Sequence, residues 1–200
     1  MNLCRIHLSE EMGELALPLA QEAHAKATNK LKPEHPTTLD AWRLVGDCHR
    51  LMGDTKQAQT IYDRVLAKLR ESQNEKHPSV IACNNSIAKN ALAEKDYAKA
   101  APILDDVLRL NIDRLGPNHL SSWRIQHNIA ECYHGLDKRD DAEKLWLELW
   151  ERSTELPKPL FRSETRLQQK FATGLINLYE ASEKPEQQQE WQAKLDAVGP

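Results

Sequence analysis

Histidine, cysteine and tryptophan are the residues of this 200-residue chain whose types and spacing could do chemistry. His127 and His134 stand seven apart, two turns along one predicted helix and on the same face, with His119 and Cys132 nearby. Imidazole and thiolate both ligate zinc, but a helical zinc pair is spaced at four with a carboxylate close by. The spacing argues against a metal, and no cofactor is expected. Cys4, Cys48, Cys83 and Cys132 are far apart, form no Cys-x-x-Cys pair and each fall in a predicted helix, which predicts four buried, reduced thiols. Trp146 and Trp150, four apart on one helix, read as core packing rather than a base-stacking platform. A glycine-rich phosphate loop, a nucleophile elbow and clustered carboxylates are all absent from the sequence, so no catalytic residues are assigned and an enzyme is not expected.

The stronger signal is a period. His35, His77 and His119 are 42 apart, as are Ala16, Ala58, Ala100 and Ala142, and residues 37–120 hold two consecutive copies of one unit. Such self-similarity marks a solenoid, in which each unit is one supersecondary element that buries its apolar face only against its neighbours. The histidines recur with the turns between units, which suits a structural hydrogen-bonding role. The expected organisation is one array over residues 1–200, with units of about 1–34, 35–76, 77–118, 119–156 and 160–198. The first unit is truncated. Its opening residues align with the middle of later helices, so the chain reads as a fragment of a longer protein or as one with a short, frayed first helix.

Composition agrees with an all-α fold: 40% hydrophobic, 28% charged and 7 Gly, with Ala, Leu, Glu, Lys and Gln, the strong helix formers, abundant. A net charge of −3 and a pI near 6.2 give no basic footprint for nucleic acid. No run approaches the ~20 apolar residues needed to span a bilayer, and the N-terminus lacks a secretory pattern. A cytoplasmic protein with no membrane partner is expected.

Along the chain, helices are predicted for about 1–10, 13–29, 37–51, 56–70, 80–94, 97–114, 120–135, 140–153, 163–181 and 185–197. Pro33, Pro36, Pro78 and Pro117 punctuate the turns, Thr37 or Thr38 is the expected N-cap of its helix, and Gly53 is an expected left-handed cap. Pro18 and Pro102 fall within the first turns of their helices, which can start late or bend there. Residues 156–159 read as a short rigid loop.

Each unit needs a small residue where its helices cross and a large one a turn later. Ala58 with Tyr62, Ala100 with Leu104 and Ala142 with Trp146 meet that need, with Gly46, Ala88 and Ala130 on the first helices. This pattern resembles the tetratricopeptide repeat over about residues 1–197. The 42-residue period and turns such as Gly116-Pro117-Asn118-His119 are similar to the kinesin light chain subtype. Residues 178–186 with Glu190-Trp191 resemble the end of repeat tails on bacterial serine/threonine kinases. Lys95, Asp137 and Glu183 depart from the glycine seen at Gly53, and Gln188 replaces the crossing alanine, so the last pair is expected to be looser or a polar cap.

The resemblance implies a right-handed α-α superhelix of about five helical hairpins and a non-catalytic protein-binding role, with an extended peptide held on the concave face. Carried over position by position, that face comprises Asn2, Arg5, Arg43, Asp47, Arg50, Asn85, Lys89, Arg124, His127, Asn128 and Glu131, flanked by Asp40, Ser86 and His134. Asn2 and Asn128 match the family's backbone-clamping asparagine, and Leu44 and Ser86 depart from it. An asparagine offers both donor and acceptor to an extended backbone, and the cations suit an acidic partner. Scattered charge on a solvated helix face is the alternative for these residues. For the chain as a whole, the alternative is homo-oligomerisation through solenoid ends.

Overall fold

The computed structural model describes residues 2–156 and 161–198, the Asn2 side chain aside. Pro157, Lys158 and Pro159 of the expected loop lie outside the described residues. Those described form ten α-helices and no strand: α1 Asn2–Ser9, α2 Gly13–Lys30, α3 Pro36–Leu51, α4 Thr55–Ser72, α5 Pro78–Ala93, α6 Tyr97–Leu115, α7 Leu120–Gly135, α8 Arg139–Thr154, α9 Arg162–Ala181 and α10 Pro185–Val198. Taken two by two they are the five expected hairpins. The chain divides into two compact units, Met1–Ile103 and Leu104–Pro200, with the boundary inside α6.

The periodic histidines are the N-caps. His35, His77 and His119 adopt extended backbone, and their Nδ1 atoms accept from the backbone N–H of Thr37, Ser79 and Ser121 at 3.1, 3.2 and 3.1 Å. An imidazole lone pair thus satisfies a first-turn donor that a short polar side chain would otherwise serve. This corrects the expectation of a threonine cap. Thr38 is instead buried, with its Oγ1 donating to Lys32 O at 3.1 Å, and Ser122, 84 residues on, donates likewise to Gly116 O at 2.9 Å. α2 and α6 run without interruption through Pro18 and Pro102.

The loop within each hairpin turns on one left-handed residue. Glu11, Gly53, Lys95 and Asp137, 42 apart, have φ of 62, 84, 59 and 60°, and Glu183 in the last hairpin has φ of 54°. Only glycine takes this conformation without a Cβ penalty. Lys95→Gly and Asp137→Gly are each expected to raise stability by about 0.5–1 kcal/mol, read by thermal unfolding, the relief of strain exceeding the added freedom of the unfolded chain.

In the first unit Ala16, Ala20, Leu39, Val45, Cys48, Ala58, Ile61, Tyr62, Val65 and Leu69 form a buried core. Its tightest point is Gly46, where an added Cβ would lie 2.6 Å from Tyr62 Cε1. The second unit buries Trp123, Trp146, Leu149, Phe171, Leu175, Tyr179 and Trp191. α10 contributes Trp191 as its only fully buried residue, edge-on to Trp150 at 5.0 Å. The rest of α10 is largely exposed and polar, as expected of a polar cap.

Candidate helical binding faces

In the first unit, α3 and α5 lie against each other and carry the residues singled out from the sequence. Asp40, Arg43, Asp47 and Arg50 recur at three and four along α3, one face of a helix. Arg43 is enclosed, its side chain 11% exposed. Its Nε and Nη2 donate to Asp40 Oδ1 at 3.0 and 2.8 Å, and its Nη1 donates to Asp47 Oδ2 at 2.6 Å and to Ser86 Oγ of α5 at 3.0 Å. Asp47 Oδ1 accepts from the Tyr62 hydroxyl at 2.8 Å, and Asp40 Oδ2 accepts from Arg5 Nη2 at 2.7 Å. The network therefore joins α1, α3, α4 and α5.

Electrostatics match this geometry. Burial opposes charge on Arg43, but the Asp47 and Asp40 carboxylates more than offset it and its pKa stands raised. Burial likewise opposes charge on Asp47, and Arg43 with Arg50 outweighs it, leaving the pKa below the ordinary carboxylate value. Tyr62 is pushed well up by burial and by Asp47. With four of its five donors engaged, Arg43 holds the face together and is not open to solvent. Two buried polar atoms on this face lack a hydrogen-bond partner, Arg50 Nε and Asn85 Oδ1. Lys89 is half-buried.

In the second unit the face of α7 has a different character. His127 is 6% exposed and turned inward: Trp146 Nε1 donates to its Nδ1 at 3.0 Å, and the Phe171 ring stands 5.8 Å away. Its Nε2 lies 3.6 Å from Glu131 Oε1. Asn128, one residue on, is 9% exposed and its Nδ2 is a buried donor without a partner. Arg124, one turn before Asn128, is exposed, and desolvation lowers its pKa with no carboxylate offsetting it. The side chain of Asn2 lies outside those described. The structure thus separates the predicted residues into a self-neutralised set (Arg5, Arg43, Asp47) and two residues with unfilled hydrogen-bonding capacity (Arg50, Asn85) in the first unit, and in the second unit an inward His127, an Asn128 with an unpaired donor and an exposed Arg124.

Sequence reasoning missed two parts of this arrangement. Asp40 and Asp47 at −3 and +4 from Arg43 are the spacing of helical ion pairs and could have been read as one network. The Trp146–His127 hydrogen bond joins residues 19 apart on different helices and left no such signal. The four cysteines are free and buried, and burial pushes the Cys48, Cys83 and Cys132 thiols up to about 12. Among the described residues, no helix is long and apolar enough to cross a membrane.

Comparison with known proteins gives one family. The model of the tetratricopeptide repeat matches residues 1–71 and 40–113. Among solved structures, the tetratricopeptide-like repeats of a kinesin light chain homologue from Podosopora anserina are similar at TM-score 0.67 and 20% identity, over 98% of this chain and 92% of that one. BtubC (BKLC) from P. vanneervenii is similar at TM-score 0.74 and 15% identity, over 98% and 76% of the two chains. A MamA double mutant is similar at TM-score 0.53 and 18% identity, over 98% and 94%. At these identities the likeness is one of fold. No curated protein matches.

Proposed function

Because the chain belongs to the tetratricopeptide repeat family, whose members typically mediate protein–protein interactions, we propose that it is a non-catalytic cytoplasmic scaffold, built as a single repeat array, that captures an extended, acidic segment of a protein partner on the faces of its first helices. The observation that carries this reading is on α7. Asn128 Nδ2 is a buried donor with no acceptor, and burying such a group unpaired costs about 1–3 kcal/mol. A peptide carbonyl would satisfy it, and the exposed Arg124 one turn away would take a neighbouring carboxylate in a charge-assisted bond. Arg43 is not a charge selector on its own helical face, since four of its five donors are already engaged. The short resemblance of residues 178–186 to kinase repeat tails is what supports placing the array within a larger signalling protein.

The test is titration of a fluorescent peptide of alternating Glu and Ser into the full chain. Binding is expected to weaken with added salt and to fall at least tenfold in Arg124→Ala with Asn128→Ala, with the helical circular dichroism unchanged. Equal binding by the double variant sinks the assignment.

A further inference from the structure

Cys4 of α1 and Cys48 of α3 meet in the core of the first unit, with exposures of 1 and 0%. Their side chains are in hydrogen-bonding contact with each other, and Cys4 Sγ also donates to Ala16 O of α2 at 3.7 Å. α2 closes over both, since a Cβ added at Gly13 would stand 3.0 Å from Cys48 O.

The period shows why two sulfurs fit here. The residues one, two and three periods after Cys4 are Gly46, Ala88 and Ala130, and those after Ala20 are Tyr62, Leu104 and Trp146. In the second hairpin the Tyr62 ring fills the space against Gly46. The first hairpin reverses these sizes, and the small Ala20 leaves room for a thiol on the first helix. The other two thiols are not paired in this way. Cys83 donates to Tyr62 O at 3.6 Å, and the residue 44 before Cys132 is Ala88, where Cys48 has Cys4.

Burial raises the pKa of both thiols, Cys48 to about 12, and the bond between them lowers Cys4 and raises Cys48. Cys4 is therefore the readier of the two to ionise, and the thiolate is the form that attacks a disulfide. It must first be uncovered. α1 has 8 residues, too few for a helix to persist by itself. Its ion pair to Asp40 of α3 uses an Arg5 side chain that is 56% exposed, a kind of pair that contributes little. α1 is thus suited to local opening.

We propose that Cys4 and Cys48 are a redox-modifiable pair, oxidised by a low-molecular-weight disulfide of the glutathione type to an intrachain bond that locks α1 onto α3. The Cys4 thiolate attacks one sulfur of the oxidant and expels the other as a thiolate. The Cys48 thiolate then attacks Cys4 Sγ in the mixed disulfide and expels the remaining half. The two cysteines lose two electrons and two protons, and the oxidant takes up both and leaves as two thiols. In a reducing compartment such a bond is transient and senses the oxidant.

The experiment treats the full chain with oxidised glutathione, quenches with acid, and reads free thiols, intact mass, peptide linkage and hydrogen exchange. Two of the four free thiols are expected to disappear, with the mass lower by two hydrogens and the peptides holding Cys4 and Cys48 joined. Exchange of the α1 amides is expected to slow roughly tenfold, and dithiothreitol to reverse every change. Cys4→Ala, which installs the residue found at Ala88 and Ala130, is expected to keep the helical circular dichroism and to form no intrachain disulfide. A bond made by Cys83 or Cys132, a glutathione adduct that persists on Cys4 of the parent chain, or no reaction at all overturns the proposal. So does an oxidised chain whose α1 exchanges as fast as the reduced one.

Discussion

Arg43→Met is expected to cost the first unit about 3–5 kcal/mol, because it removes the main counter-ion of a buried carboxylate and leaves it only the weaker field of Arg50. Asp47 has a side chain 14% exposed, and its Oδ2 would lose the 2.6 Å bond from Arg43 while its Oδ1 keeps the Tyr62 hydroxyl. Asp40 is cushioned, since it retains Arg5 at 2.7 Å. The loss therefore falls mainly on Asp47, whose depressed pKa depends on Arg43. For a chain of this size the expected fall in Tm is about 6–20 °C. Arg43→Met with Asp47→Leu removes both buried charges and is expected to recover most of the loss, because a buried pair is seldom worth more than apolar residues of its volume. A single variant that loses less than about 1 kcal/mol would show that water screens the network, as it does exposed pairs.

Gly174→Ala is expected to destabilise the second unit by about 2–5 kcal/mol through overpacking and a broken hydrogen bond. The new Cβ would stand 2.4 Å from Trp146 Cε2, 2.7 Å from Cζ2 and 2.8 Å from Nε1. The indole has no room to retreat. It is 1% exposed, and its Nε1 is fixed 3.0 Å from His127 Nδ1, with the His127 and His134 rings on it at 6.2 and 6.0 Å. Any shift that admits the methyl group strands the indole N–H or the imidazole acceptor in the core. Trp146→Leu in the Gly174→Ala background is expected to restore part of the loss, since Leu104 fills the same repeat position 42 residues earlier. Denaturant unfolding with near-ultraviolet circular dichroism checks both steps. A Gly174→Ala protein as stable as the parent would mean that α9 can slide away from Trp146.

The helices and their turns were legible in the sequence for a physical reason. A repeat buries each hairpin against its neighbours, so the same small and large residues return every 42 positions, and Ala16, Ala58, Ala100 and Ala142 are all fully buried. Every predicted helix was found, with ends displaced by at most two residues, because proline and capping side chains act through local backbone geometry. The left-handed turns at Lys95 and Asp137 were likewise predictable from Gly53 by period alone.

The candidate binding residues were legible as a set of positions, not as a set of roles. Sequence places Arg43, His127 and Arg124 on the same helical face, and nothing in their types separates them. Only the tertiary structure decided that Arg43 is consumed by Asp40, Asp47 and Ser86, that His127 is held inside by Trp146, and that Arg124 is left exposed. These outcomes depend on side chains from other helices, up to 43 residues away in sequence, arriving within hydrogen-bonding distance. Local pattern fixes which face of a helix a residue occupies; whether that residue meets a partner, a ring or solvent is set by what the neighbouring helices bring to it.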